Sequence, residues 1–336
     1  MTDANAPSHT DRRRRRIRWL AGLALIAGIL TLAQSFSASD SLSIVIVPVA
    51  DLRAAPGPLA TRPVHDPNQE SQLLYGEQVR VLKIRDGWAM VEATEQPEYS
   101  HSQRWQGYPG WIPQRWLLPA RDPLPTNAVV TVKWAPIHGP RTSFAVPLGT
   151  RLMITGPRGP GWSIRLADGA PGSIARDHTK LDATLQAYST DQRRRAILAA
   201  AEQLLGDPYF WGGRSPHTSQ SGAAPVTGVD CSGLVNLAYR AAGVAIPRDA
   251  HEQRLRARPL DHPQPADLVF LSKANDPTHI VHVMIYAGDG LLLEAPGTGE
   301  VVRRISVIDR LGRPIERIEP GSTIKEQTVW FGTYLP

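Results

Sequence analysis

Gly228-Val229-Asp230-Cys231-Ser232-Gly233-Leu234-Val235 places the one cysteine of a 336-residue chain where a polar turn runs into an apolar helix. The spacing of Leu234, Val235, Leu237 and Ala238 predicts a helix from about Ser232 to Ala242, closed by Gly243 just past its end. A thiol at a helix N-terminus meets the positive end of the backbone dipole and N–H groups without acceptors. Both favour the thiolate, which is the nucleophile. The same N–H groups can stabilise an oxyanion. A cysteine serving as a small buried hydrophobe would gain nothing from this position.

A thiol nucleophile needs a base. Of ten histidines, His282 is the best placed, within Ile280-Val281-His282-Val283-Met284-Ile285-Tyr286. Strand alternation puts His282, Met284 and Tyr286 on one face and Val281, Val283 and Ile285 on the other. A histidine on a strand is ordinarily a structural residue, and His282 gains its weight from Cys231. His279, near the strand's start, reads as solvated. If Gly288-Asp289-Gly290 forms a three-residue hairpin loop, Met284 opposes Glu294, and His282 is the diagonal neighbour of Glu294 on one face. The carboxylate would then fix the imidazole tautomer and support a thiolate–imidazolium pair. A two-residue loop would put them on opposite faces.

Upstream the texture is all-β, in two similar halves. The first carries Gly76-Glu77-Gln78-Val79-Arg80-Val81-Leu82, then Asp86-Gly87-Trp88, then Gly107-Tyr108-Pro109-Gly110-Trp111. The second carries Leu148-Gly149-Thr150-Arg151-Leu152-Met153-Ile154, then Pro160-Gly161-Trp162, then Ala170-Pro171-Gly172-Ser173. Short alternating runs at this spacing argue for small barrels, expected at 41–119 and 127–184 with a Pro-rich linker between them. From 190 to 336 a helix at Gln192–Leu205 and the Cys231 helix precede several strands, which makes an α+β unit.

Residues 1–40 read as a targeting segment. Arg12 to Arg16 and Arg18 precede an uncharged apolar run from Trp19 to Ala33, short for a membrane span and suited to a signal-peptide core. Export with cleavage, to the periplasm or beyond, is expected, and a retained membrane anchor stays open. Six Arg and two Asp in residues 1–33 supply +4 of the net +6, leaving +2 for the rest. With no basic stripe interleaved with aromatics, no nucleic-acid partner is expected. Neither a His-Glu-x-x-His helix nor clustered Cys and His ligands occur, so no metal or other cofactor is expected.

Five motifs in order carry a resemblance. They are Pro208-Tyr209-Phe210-Trp211-Gly212-Gly213, Asp230-Cys231-Ser232-Gly233, Ile246-Pro247-Arg248-Asp249, Ala266-Asp267-Leu268-Val269-Phe270 and His282-Val283-Met284-Ile285-Tyr286-Ala287-Gly288. Together they resemble the NlpC/p60 cysteine peptidases, papain-like enzymes of bacterial cell-wall turnover. The upstream halves resemble bacterial SH3-like domains. The combination is similar to γ-D-glutamyl-L-diamino-acid endopeptidases acting on stem peptides with a free N-terminal L-Ala. The resemblance implies a monomeric or anchored enzyme acting on peptidoglycan or released muropeptides. It implies Asp230 as partner of the substrate amine, with Ser232 in the same pocket. Tyr209 would lie near the oxyanion, Trp211 would form a wall, and Tyr108 would cap the site from the first barrel. Arg248 would fix loops or hold the D-glutamyl carboxylate. Three features depart from the family pattern: Glu294 where His is usual, Ala250 where a small polar residue is usual, and a long stretch from Arg214 to Val229 that is either a lid or a loop. A wall-binding scaffold without activity, and amidase or acyl-transfer chemistry on the same thiolate, are the competing readings.

Overall fold

A computed structural model describes residues 41–336 apart from 63–64, 141 and 219–225. The expected targeting segment and the middle of the 214–229 stretch therefore lie outside the described residues.

The first sheet contains β1 (Ser41–Val45), β2 (Val49–Arg53), β3 (Gln69–Leu74), β4 (Gln78–Arg85), β5 (Trp88–Glu98), β6 (Gln106–Pro113) and β7 (Leu117–Pro119), in the order β3-β2-β6-β5-β4-β1-β7. The second contains β8 (Ala128–Val130), β9 (Trp134–His138), β10 (Ser143–Pro147), β11 (Arg151–Arg158), β12 (Gly161–Arg165), β13 (Pro171–Ala175) and β14 (Thr179–Leu181). Its order, β10-β9-β13-β12-β11-β8-β14, repeats the first strand for strand. The Gly-Trp strands are β5 and β12, each central. Asp86-Gly87 turns β4 into β5 with both residues at positive φ, where Arg85 faces Trp88 across a two-residue loop.

The third unit begins with the Thr190–Glu202 helix, opened by a capping box between Ser189 and Gln192. The Cys231–Ala241 helix follows, buried along its length except at Arg240. The short pair β15 (Arg214–Ser215) and β16 (Gly228–Val229) leads into that helix, and a sheet backs it in the order β17 (Arg258–Pro259), β23 (Gln327–Thr333), β18 (Leu268–Lys273), β19 (Asp276–Gly288), β20 (Leu291–Glu294) and β21 (Arg303–Ser306), with β22 (Thr323–Ile324) paired to β23. One face of this sheet, with Val283 and Ile285, joins the helix core that includes Cys231. The other, with Met284 and Tyr286, packs beneath the Val307–Leu311 helix.

Arginines of the third unit reach into the first. Arg214 is fully buried, with Nη2 2.9 Å from Oε1 of buried Glu77. Arg240 lies 3.2 Å from the same carboxylate and 2.8 Å from Glu95. The first barrel is thereby held against the Cys231 helix. Among the described residues, no helix is long and apolar enough to cross a membrane, and no three acidic, His or Cys side chains are grouped to hold a metal ion.

Candidate active site

Cys231 is the first residue of its helix. Asp230 caps that helix, with Oδ1 accepting from Gly233 N at 2.6 Å. Gly233 is required here, since a Cβ would stand 2.1 Å from the Gly213 carbonyl oxygen. The sulfur accepts N–H contacts from Ser232 and from Val283, so it lies against the backbone that carries His282. The ladder between β19 and β20 ends at Ile285 and Leu293, which leaves the Val283 N–H available for this contact.

The thiol does not match the expectation of a standing thiolate. Burial, then the negative charge of Asp230, push Cys231 up to about 12 against the pull of the two N–H groups and Arg248. Desolvation of the sulfur opposes ionisation more strongly than the helix terminus favours it.

His282 is 8% exposed, and its Nε2 lies 3.0 Å from Oε2 of fully buried Glu294. The hairpin achieves this differently from the expected three-residue loop. Asp289-Gly290 is a two-residue turn between Gly288 and Leu291, and Ala287 is bulged out between the Tyr286–Leu292 and Gly288–Leu291 pairs. The bulge restores the register that the short loop alone would lose. Burial opposes ionisation of Glu294, but the His282 hydrogen bond and the Arg310 and Arg303 guanidinium groups bring its carboxyl down to about 2. An ionised carboxylate only accepts, so Nε2 carries the proton and the neutral ring keeps its lone pair on Nδ1.

Arg248 is completely buried. Its Nη1 and Nη2 form a fork on Asp230 at 3.0 and 2.8 Å, while Ser232 Oγ, Gly213 O and Ser71 Oγ take its other N–H groups at 2.8, 3.3 and 2.9 Å. With every donor engaged, it has none for a D-glutamyl carboxylate. It ties the first barrel to the Cys231 turn, so of its two expected roles the structure favours fixing loops. Asp230 is likewise saturated by Arg248, Gly212 N, Gly233 N and Ser232, which corrects its expected role as the partner of an amine. Ser232 is buried in that same cluster.

The available carboxylates are Asp249 and Glu70, neither singled out by the sequence. The Tyr108 hydroxyl reaches over from the first barrel to 2.9 Å from Asp249 Oδ2 and 3.3 Å from Glu70 Oε2. The Asp249 side chain is 38% exposed, between Arg248 and Tyr108. Burial there, with Asp230 and Glu252 nearby, pushes it up to about 7 despite Arg248 and the Tyr108 hydrogen bond. Tyr209 has its hydroxyl held firmly protonated by burial and by the neighbouring Asp230 and Cys231. Trp211 is 45% exposed and stands edge-on to His65 of the first barrel at 5.1 Å.

Residues 206–313 match the NlpC/P60 family, and residues 59–96 match the bacterial dipeptidyl-peptidase SH3 domain. The chain thus carries an NlpC/P60 domain behind a bacterial SH3 domain. It is a cysteine peptidase. Two curated relatives, both named gamma-D-glutamyl-L-lysine dipeptidyl-peptidase, are similar over most of their length. The one from Bacillus cereus is 27% identical over 68% of this chain and 67% of its own. The one from Bacillus subtilis is 25% identical over 72% and 77%. A crystal structure of an NlpC/P60 family protein from Bacillus cereus shares the fold with a TM-score of 0.70, 23% identity, and coverage of 88% of this chain and all of that one. Within the NlpC/P60 domain the motif residues Tyr209, Cys231, Arg248 and His282 fall inside the matched span. Glu294, Arg303 and Arg310 do so as well.

Proposed function

We propose that this chain is an exported cell-wall peptidase that removes an N-terminal L-Ala-D-Glu dipeptide from peptidoglycan stem peptides by cutting before the diamino acid. One observation carries the chemistry: a cysteine peptidase with a single cysteine has only Cys231 as its nucleophile. That residue opens a helix, and its sulfur touches the backbone beside His282. The names of the two dipeptidyl-peptidase relatives support the bond and the substrate class. Arg12 to Arg16 and the apolar run after them support export. The repeated strand order supports reading residues 127–184 as a second SH3-like domain, ahead of a papain-like α+β peptidase domain.

The resting thiol passes its proton to Nδ1 of His282 as the sulfur attacks the γ-carbonyl carbon of D-glutamate. Negative charge on the carbonyl oxygen meets the Cys231 N–H, which has no acceptor within the helix, and the protonated Tyr209 hydroxyl. As the tetrahedral adduct collapses, the C–N bond breaks and the imidazolium gives its proton to the leaving amine. Water, deprotonated by His282, then hydrolyses the thioester and returns the thiol. Glu294 holds the ring tautomer throughout and stabilises the imidazolium.

A dipeptidyl-peptidase must count from the substrate's N-terminus, and the Asp249, Glu70 and Tyr108 cluster suits that task. Two carboxylates and a hydroxyl contributed by both domains make a receptor for an ammonium group. Mass spectrometry of products from L-Ala-γ-D-Glu-diamino-acid peptides tests the proposal, with N-acetylated peptides and Cys231→Ala as controls. Release of the dipeptide from free-amine substrate alone is expected. Equal cleavage of the blocked peptide would contradict the amine receptor.

A further inference from the structure

We propose that Arg303 and Arg310 are positioning residues that set the basicity and the proton location of the His282 imidazole by sharing the Glu294 carboxylate with it. The proposal rests on the reading of His282 as the base. Glu294 is fully buried and stands at the centre of three side chains that supply four N–H donors. Its Oε2 accepts from His282 Nε2 and from Arg310 Nε, each at 3.0 Å. Its Oε1 accepts from Arg303 Nε and Nη2 at 3.0 and 2.8 Å.

Each arginine is delivered by a separate element. Arg303 opposes Glu294 directly in the β20–β21 ladder. Arg310 comes from the Val307–Leu311 helix, which is pinned to the sheet by buried Val307 and Leu311 and capped by Ser306. Arg303 is also 3.2 Å from Glu300, and Arg310 makes no other ion pair among the described residues.

A lone buried carboxylate beside an imidazole has two weaknesses as a catalytic partner. It can take up a proton and become a donor, which would release the tautomer, or it can hold the imidazole permanently charged. Two guanidinium groups on the same carboxylate remove both. They keep Glu294 ionised, so that it only accepts from Nε2–H, and they balance its charge, so that less of it bears on the imidazole. The groups around the neighbouring Cys231 sulfur are fixed by different elements: Asp230 at the helix start, Arg248 paired to Asp230, and the Tyr209 hydroxyl, while His251 of the Ala250–Arg256 helix accepts from Ile280 N on the His282 strand. None of these touches Glu294.

The test is the titration of the His282 ring by nitrogen-detected NMR in a Cys231→Ala background, where the sulfur contributes nothing. Arg310→Gln, and separately Arg303→Gln, leave more uncompensated carboxylate charge on the imidazole. The His282 midpoint should move to higher pH by roughly half to one unit, more for Arg310 because it shares Oε2 with the ring. With Cys231 intact, the acidic limb of kcat/KM should move in the same direction, and Arg310→Lys should restore most of it. Unmoved midpoints in both folded Gln variants would overturn the proposal, as would a loss of thermal stability or turnover with no shift of the limb. The ring titration does not depend on turnover, so it stands apart from the catalytic reading. Full turnover by Cys231→Ala would sink that reading and leave the titration result untouched.

Discussion

Glu294→Gln keeps the shape but lets the amide donate to the ring. Its kcat should fall by about 10²- to 10⁴-fold with the fold retained, measured by turnover and circular dichroism. The helix start at Cys231 and the pairing of His282 with Glu294 were legible in the sequence because each obeys a local rule: a helix start, a strand face and a hairpin pairing. Asp249 and Glu70 were not, because Tyr108, expected only as a cap, meets Asp249 across 141 positions and Glu70 joins from another strand of the first barrel. No periodicity reports such a contact. Arg303 is a cross-strand neighbour that exact register alone would have exposed. Asp249 is pushed up to about 7, so a receptor built on it gains its charge as pH rises through that value. The KM for free-amine peptides should therefore fall between about pH 6 and 8. Asp249→Asn should raise KM and flatten this dependence.

At the scale of elements, the start of the Cys231–Ala241 helix concentrates several demands in four residues. Asp230 caps the helix, answers the fully buried Arg248 guanidinium and receives the Gly212 N–H. Asp230→Ala removes the cap and leaves a buried arginine without its counter-charge, a cost of about 3–5 kcal/mol in unfolding free energy. Denaturant unfolding would check this, and a loss below about 1 kcal/mol would mean that the pair is not held as described. Gly233→Ala drives a methyl into the Gly213 carbonyl. The first helical turn must shift, so turnover should fall more steeply than stability. The hairpin shows where local reading reaches its limit. Gly288-Asp289-Gly290 announces a turn, but the choice between a three-residue loop and a two-residue loop with a bulge at Ala287 depends on packing across the whole sheet.

At the scale of the molecule, the two similar halves were visible as repeated Gly-Trp strands, and the structure gives them one strand order. Their contact with the third unit was invisible, since Arg214 and Glu77 carry no mark of each other 137 positions apart. Burial raises the cost of the Glu77 charge, but Arg214 and Arg240 together hold its carboxyl below the usual range. A depressed carboxyl adds stability above its unfolded pKa and loses it as pH falls toward the folded one. The native chain should therefore lose Tm as pH drops below about 4.5. Glu77→Gln should lower Tm at neutral pH and weaken this acid sensitivity. The chain as a whole is a peptidase, and the proposed chemistry converges on one sulfur. Intact-mass spectrometry of protein quenched during turnover of L-Ala-γ-D-Glu-diamino-acid peptide tests that most directly. A thioester adduct with the mass of the dipeptide should appear on Cys231, and should be absent from Cys231→Ala and strongly reduced in His282→Ala. Dipeptide release by Cys231→Ala at the wild-type rate would contradict the account.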